Sequence, residues 1–202
     1  MKIEKFVDDN ELNNLFCDIQ KCKRCELYKI PVNIFTESGG GKVVGRGNKR
    51  AKIMFIGQNP YGGFRAGNKL FAFTGKAGKF LNQMLGKIDI PLNMCYFTNL
   101  VKCSTLKNEI PSLDIQIKCN FWLSKEIEII QPKLIVLLGS MVKNYFGIYK
   151  TYELVDLCFG DKKYHCFTVP HPSWFIYKDS IKNKNEFLYN VKTMVDKYVN
   201  NI

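Results

Sequence analysis

Four short apolar runs, each ending in a turn and followed by helix-like patterning, constrain this chain more than any other feature. The clearest is Leu134–Leu138 (LIVLL), without a polar side chain, set between Pro132 and the pair Gly139-Ser140. Such a run reads as a strand covered on both faces, the habit of parallel strands. Lys52–Ile56 (KIMFI), Met94–Thr98 and Tyr164–Val169 read the same way. Helical spacing appears over 9–21 (Leu12, Leu15, Phe16, Ile19) behind a cap at Asp8 or Asp9. It returns over Gly75–Leu85, Ser112–Ile130 with Pro132 just past its end, Met141–Phe146 and Asn183–Val199. The stretch from Cys22 to Arg50 reads as loop. This alternation predicts an α/β fold, a three-layer αβα arrangement with a mainly parallel, four-stranded central sheet, in a single domain over 1–202. In such sheets ligands bind beyond the carboxyl ends of the strands. Here those ends carry Gln58 and Asn59, Asn99, Gly139 and His171, so polar groups converge where a crevice is expected.

With 202 residues, 46% of them hydrophobic, the chain can bury a core without covalent staples. Its charge is less ordinary: 30 Lys and Arg against 18 Asp and Glu give a formal +12. A basic surface raises affinity for polyanions, which makes nucleic acid the first partner to consider; the alternative is a Lys- and Asn-rich bias that only solvates the surface. No run approaches the roughly 18 apolar residues needed to cross a bilayer. The opening MKIEKFVDDNELNN lacks the apolar centre of a signal peptide. An intracellular, cytoplasmic protein without a membrane partner is therefore expected, in a compartment where thiols stay reduced.

The 8 cysteines then need a reason other than disulfides. Cys22 and Cys25 form CKRC, whose two-residue gap lets both thiolates reach one metal centre. Cys103 and Cys119 make a wider pair, one after a strand and one in the long helix. Four thiolates suit tetrahedral zinc or a [4Fe–4S] cube, and the spacing alone leaves both open. Cys17, Cys95, Cys158 and Cys166 lie among apolar residues and read as core side chains.

These segments also resemble a known family. VVGRGNKRAKIMFIGQNP looks like the approach to the first active-site motif of family 4 uracil-DNA glycosylases, the iron–sulfur group of the uracil-DNA glycosylase superfamily. FTGKAGKFLNQML is similar to that family's Phe-x-Gly-Arg-Ala-Gly segment, and YFTNLVKC, QPKLIVLLGS and HPSW follow in the family's order. The resemblance runs from about Cys17 to Val199. It implies a [4Fe–4S] cluster held by Cys22, Cys25, Cys103 and Cys119, structural rather than catalytic. The first motif departs from the pattern. Family 4 carries Gly-Glu-Ala-Pro-Gly; this chain has Gly57-Gln58-Asn59-Pro60-Tyr61, closer to the Gly-Gln-Asp-Pro-Tyr of family 1, with Asn59 in the aspartate's place. Asn there also resembles the mismatch-specific and single-strand-selective branches. The acidic group of either family is absent.

The resemblance implies a monomeric DNA glycosylase of base excision repair. It would hydrolyse the N-glycosidic bond of a base flipped out of double- or single-stranded DNA, uracil first, leaving an abasic site. Two alternatives stand: a glycosylase for a modified pyrimidine, such as hypermodified cytosine in phage DNA, and a non-catalytic DNA-binding relative. Related glycosidic chemistry passes through an oxocarbenium-like state, so positive charge grows on the sugar and negative charge on the leaving base. His171 can donate a hydrogen bond to the base O2 as that charge develops. Asn59 has no basic lone pair at neutral pH, but its amide oxygen can orient a water; its other reading is a turn former before Pro60. Gln58 joins them as the third candidate catalytic residue. Asn99 would pair with the base edge, and Phe73, or Phe71 in its stead, would stack on the base face. Tyr61 would wall off C5 unless Gly62, Gly63 and Gly67 swing the loop away, and Gly57 completes the base-binding set. Ser140, Ser173 and Trp174 are expected to contact DNA, with Ser140 at a phosphate and Trp174, helped by Phe175 and Ile176, filling the gap left by the extruded base.

Overall fold

The computed structural model describes residues 10–30, 41–47, 49–60, 64–66, 69–178 and 180–201. Helix α1 spans Asn10–Lys21, and a single 3-10 turn, Glu26–Lys29, follows it. Next come the two-residue strand β1 (Val43–Val44), strand β2 (Ile53–Gly57), and the short strands β3 (Phe64–Ala66) and β4 (Lys69–Phe71). Helix α2 (Lys76–Gly86) leads to β5 (Cys95–Asn99) and the long α3 (Leu113–Ile130). Strand β6 (Leu134–Leu138), helix α4 (Ser140–Tyr145), strands β7 (Leu154–Phe159) and β8 (Lys162–Val169), and helices α5 (Pro172–Tyr177) and α6 (Ile181–Val195) complete the order. A π-helical turn, Asp196–Asn200, extends α6.

The central sheet has the order β5-β2-β6-β8-β7. Its first four strands are mutually parallel, and these are the four apolar runs. Ile53, Met54, Phe55 and Ile56 are all fully buried, so β2 has no solvent face. Successive side chains leave the sheet on opposite sides, and they feed two cores. Met54, Ile56, Ile135 and Leu137 pack with Leu12, Phe16 and Ile19 of α1 and Trp122, Leu123 and Ile127 of α3. Ile53, Phe55, Leu134 and Val136 pack with Leu81 and Leu85 of α2, Phe175 of α5 and Phe187 and Val191 of α6. The three-layer α/β fold is the expected one.

Among the described residues the sheet has five strands rather than four. The extra one, β7, runs antiparallel to β8 around a turn in which Gly160 takes φ +59. It escaped the apolar-run criterion because it is an edge: Leu154, Asp156 and Cys158 are exposed while Val155, Leu157 and Phe159 are half-buried. The same geometry corrects two cysteines. Cys158 on β7 and Cys17 on the outer face of α1 are exposed, whereas Cys95 and Cys166 are core side chains as expected. The region read as loop from Cys22 to Arg50 contains the 3-10 turn and β1, and β1 joins a small separate sheet of order β1-β4-β3. Ser112 caps α3 by accepting the Ile115 N–H, and Gln131, left-handed at φ +48, ends it before Pro132. The caps expected at Asp8 or Asp9 lie outside the described residues.

Candidate active site

The carboxyl ends of β2, β5, β6 and β8 lie along one edge of the sheet. Gly57 pairs with Asn99 at the ends of β2 and β5. The Gly139 N–H donates to the Val169 carbonyl (2.9 Å), which brings the turn after β6 beside the segment that carries His171. Two glycines record how closely the side chains gather. A Cβ on Gly57 would lie 2.6 Å from both Asn99 Oδ1 and Phe73 Cζ. A Cβ on Gly139 would lie 3.0 Å from His171 Cβ, and Gly139 holds φ +90, a conformation that disfavours any other residue. The Phe73 ring sits 6.2 Å from the His171 ring, centroid to centroid. Gly57, Phe73, Asn99, Gly139 and His171 therefore share one place.

Phe73 occupies that place at φ +54, a left-handed backbone rare for a bulky residue and typical of sites where function outweighs local comfort. The alternative ring, Phe71, is buried in the core against the α1–α3 layer, so it is not at the site.

His171 caps α5, and its environment fixes its tautomer. The Ser173 backbone N–H donates to His171 Nδ1 at 3.2 Å, and Ser173 Oγ lies 2.7 Å from the same nitrogen. A backbone N–H can only donate, so Nδ1 accepts and the proton of the neutral ring sits on Nε2. Desolvation pulls the imidazole pKa down to about 4, which keeps the ring neutral at physiological pH. The ring is thus an uncharged Nε2–H donor. Ser173, expected at DNA, holds the histidine.

Asn59 is turned toward a different neighbour. Its Nδ2 donates to Thr105 Oγ1 (3.2 Å) and approaches Asn108 Oδ1 (3.5 Å). The Thr105 hydroxyl spends its proton on the Glu109 carbonyl (2.6 Å), so it receives the amide N–H, which fixes the orientation of the Asn59 amide. Asn59 Oδ1 is buried and has no hydrogen-bond partner among the described residues. Thr105 and Asn108 carried no sequence signal of this role. Gln58 is half-buried, and its backbone carbonyl accepts the Val101 N–H (2.9 Å). Ser140 is exposed at the start of α4. Trp174 is 36% exposed and stands edge-on to Phe175. Tyr61, Gly62, Gly63 and Gly67 lie outside the described residues.

On the α1–α3 side, Cys22, Cys25, Cys103 and Cys119 line one pocket with Arg24, Lys42, Lys102, Lys118 and Trp122. Backbone and ring N–H groups already point at the sulfurs. Trp122 Nε1 donates to Cys22 Sγ (3.2 Å), Arg24 N–H to Cys22 Sγ (3.5 Å), and Lys102 N–H to Cys119 Sγ (3.2 Å). Burial first, and then the neighbouring sulfurs, push the Cys103 thiol up to about 12. Cys119 is held at about 11 by burial, with Lys102 pulling the other way. Among the described residues, no three His, Cys, Asp or Glu side chains are grouped so as to hold a metal ion.

An αβα sheet with these polar strand ends places the chain in a defined class, and comparison with known proteins agrees. The chain belongs to the uracil DNA glycosylase superfamily, whose model matches residues 44–192. It is 29% identical to a type-4 uracil-DNA glycosylase of Archaeoglobus fulgidus, over 87% of this chain and 88% of the relative. Against the type-4 uracil-DNA glycosylase of Sulfurisphaera tokodaii the identity is 30%, over 82% of this chain and 76% of the relative. A type-4 uracil-DNA glycosylase of Saccharolobus solfataricus is 34% identical over 63% of this chain and 55% of its own length.

Proposed function

We propose that the protein is a DNA glycosylase that hydrolyses the N-glycosidic bond of uracil extruded from DNA. The observation that carries this reading is His171: a neutral imidazole, tautomerically fixed with its proton on Nε2, beside an aromatic ring and an amide at the sheet's ligand-binding edge. A preorganised neutral donor stabilises charge that appears on the base O2 only as the bond breaks, and one such donor is typically worth about 2.7–4 kcal/mol. Phe73 supplies the stacking face and Asn99 the pairing edge, with Gly57 leaving room for both. Asn59 offers an amide oxygen to a water at the sugar. It places that water without taking its proton, so the sugar cation must form largely before attack. Ser140 and Trp174, both exposed, are the residues we assign to phosphate contact and to the gap in the stack.

The four-cysteine pocket fits a [4Fe–4S] cluster. The donor set is all sulfur, N–H groups are aimed at two of the sulfurs, and four cationic side chains line the pocket against the negative charge of bound thiolates. Cys22, Cys25, Cys103 and Cys119 would hold the cluster, and its role there would be structural, joining the segment after α1 to the segment after β5 and to α3.

The test is incubation of anaerobically purified protein with single- and double-stranded DNA carrying uracil, thymine mismatches, hypoxanthine or 5-substituted cytosines, scoring abasic sites. Uracil excision that falls about a hundredfold in His171→Ala is the expected result. Cleavage of bulky cytosines with uracil ignored replaces the substrate, and no cleavage with retained DNA binding makes the protein a binding relative.

A further inference from the structure

Behind the Asn99 side chain lies a charged network with no access to water. Lys102 is 1% exposed and Glu126 fully buried, and their charges meet at 2.6 Å. The ammonium has three protons and three acceptors: Glu126 Oε2, Thr98 Oγ1 at 2.8 Å and the backbone carbonyl of Asn99 at 2.6 Å. Glu126 is satisfied in turn by the Thr98 hydroxyl (2.7 Å) and the Tyr96 hydroxyl (3.2 Å). Removing two charges from water is expensive, and a well-packed apolar pair often serves stability as well or better. Stability alone therefore gives a weak reason for the pair to be here.

Its connections give a stronger one. The bond to the Asn99 carbonyl pins the peptide plane that aims the Asn99 side chain, while the Leu100 and Val101 N–H groups pin the following residues to Gly57 and Gln58. At its other end, Lys102 donates its own backbone N–H to Cys119 Sγ and is followed directly by Cys103. Glu126 lies two helical turns beyond Cys119 on the same buried face of α3. One residue thus ties the four-cysteine pocket to the base-binding strand end.

We infer that Lys102, held by Glu126, is a positioning residue that sets the direction of the Asn99 amide and so the recognition of the base edge. The inference rests on the reading of Asn99 as the pairing residue.

The test uses the full-length protein purified without oxygen. The paired variant K102M/E126M replaces both charges together, leaving no lone buried carboxylate, and T98V removes one partner of the ammonium as a milder change. Val191→Ala, in the opposite core layer, serves as a destabilised control. Three quantities are read: single-turnover excision of uracil, inhibition by free uracil, and duplex affinity. K102M/E126M is expected to lose tenfold or more in uracil excision and tenfold in sensitivity to free uracil, with duplex affinity changed less than twofold. T98V should move the same way by about threefold, so the result stands even if the paired variant does not fold. Val191→Ala should leave sensitivity to free uracil unchanged. If K102M/E126M or T98V behaves like Val191→Ala, the network is structural and the inference is wrong. A wild type that leaves uracil uncut overturns the uracil reading itself, an outcome seen before any variant is compared.

Discussion

At the scale of single residues, the proposed reaction turns on which nitrogen of His171 holds the proton. The Ser173 N–H on Nδ1 leaves Nε2 to donate, and a second proton on the ring would face that N–H directly. His171→Ala should cut the single-turnover excision rate by about two orders of magnitude while leaving DNA binding nearly intact; an unchanged rate would sink the mechanism. The pH dependence follows from the depressed pKa. In the unfolded chain the imidazole titrates near its ordinary 6.5, and in the folded protein near 4. Between those values the unfolded state takes up the proton first, so this residue's contribution to stability is complete above about pH 6.5 and is lost as pH falls toward 4. The donor itself should stay competent across that window. A pH–rate profile on single turnovers should therefore lack an acid limb near 6.5; one centred there would show that the ring is charged in the working enzyme. Asn59→Asp should retain or raise activity, because a carboxylate can both place the water and stabilise the sugar cation. The same single-turnover assay checks it, and loss of activity would mean that the Thr105 contact, which needs the amide N–H, matters more than the oxygen.

At the scale of elements, α3 connects most of what the molecule does. It carries the cap at Ser112, the pocket cysteine Cys119, the buried Glu126 and a face of the core. Ser112→Ala should cost about 1 kcal/mol in urea or thermal unfolding, the usual worth of a serine cap. Cys22→Ser or Cys103→Ser should reduce bound iron and solubility before it alters the chemistry; iron analysis beside a single-turnover assay separates the two. Sequence patterning was sufficient for the elements that bury both faces, such as LIVLL and KIMFI, and for α3, which carries a cap at Ser112 and Pro132 just past its end. It was insufficient where an element is half-exposed. The strand at Leu154–Phe159 alternates around Asp156 and looks like ordinary surface, and the short α5 begins at Pro172, inside what reads as a motif loop. The site divides along similar lines. His171, Asn99 and Phe73 sit at strand or turn ends, where position in an α/β sheet already implies function. The Ser173 contact, the Thr105 clasp on Asn59 and the Lys102–Glu126 pair depend on partners distant in space, and Lys102 was hidden among 30 basic residues that charge reasoning places on the surface.

At the scale of the whole molecule, the net charge of +12 acts on DNA as a field before any contact forms. Duplex affinity should fall steeply with salt, since each neutralised phosphate releases counterions, and a flat log–log plot would contradict a phosphate-tracking surface. Trp174→Ala should reduce excision from duplex more than from single strands, because only the duplex has a stack to hold open; side-by-side single-turnover rates measure this. No helix among the described residues is long and apolar enough to cross a membrane. The four-cysteine pocket also dictates a schedule. Two of its sulfurs belong to the stretch just after α1 and two to residues 103 and 119, with strands β1 to β5 and all of α2 encoded between them. A growing chain therefore carries CKRC without the other two cysteines until α3 has emerged from the ribosome. Loading of the proposed cluster would then follow synthesis of much of the scaffold, and a cell short of iron would accumulate finished polypeptide whose α1 lacks that fastening.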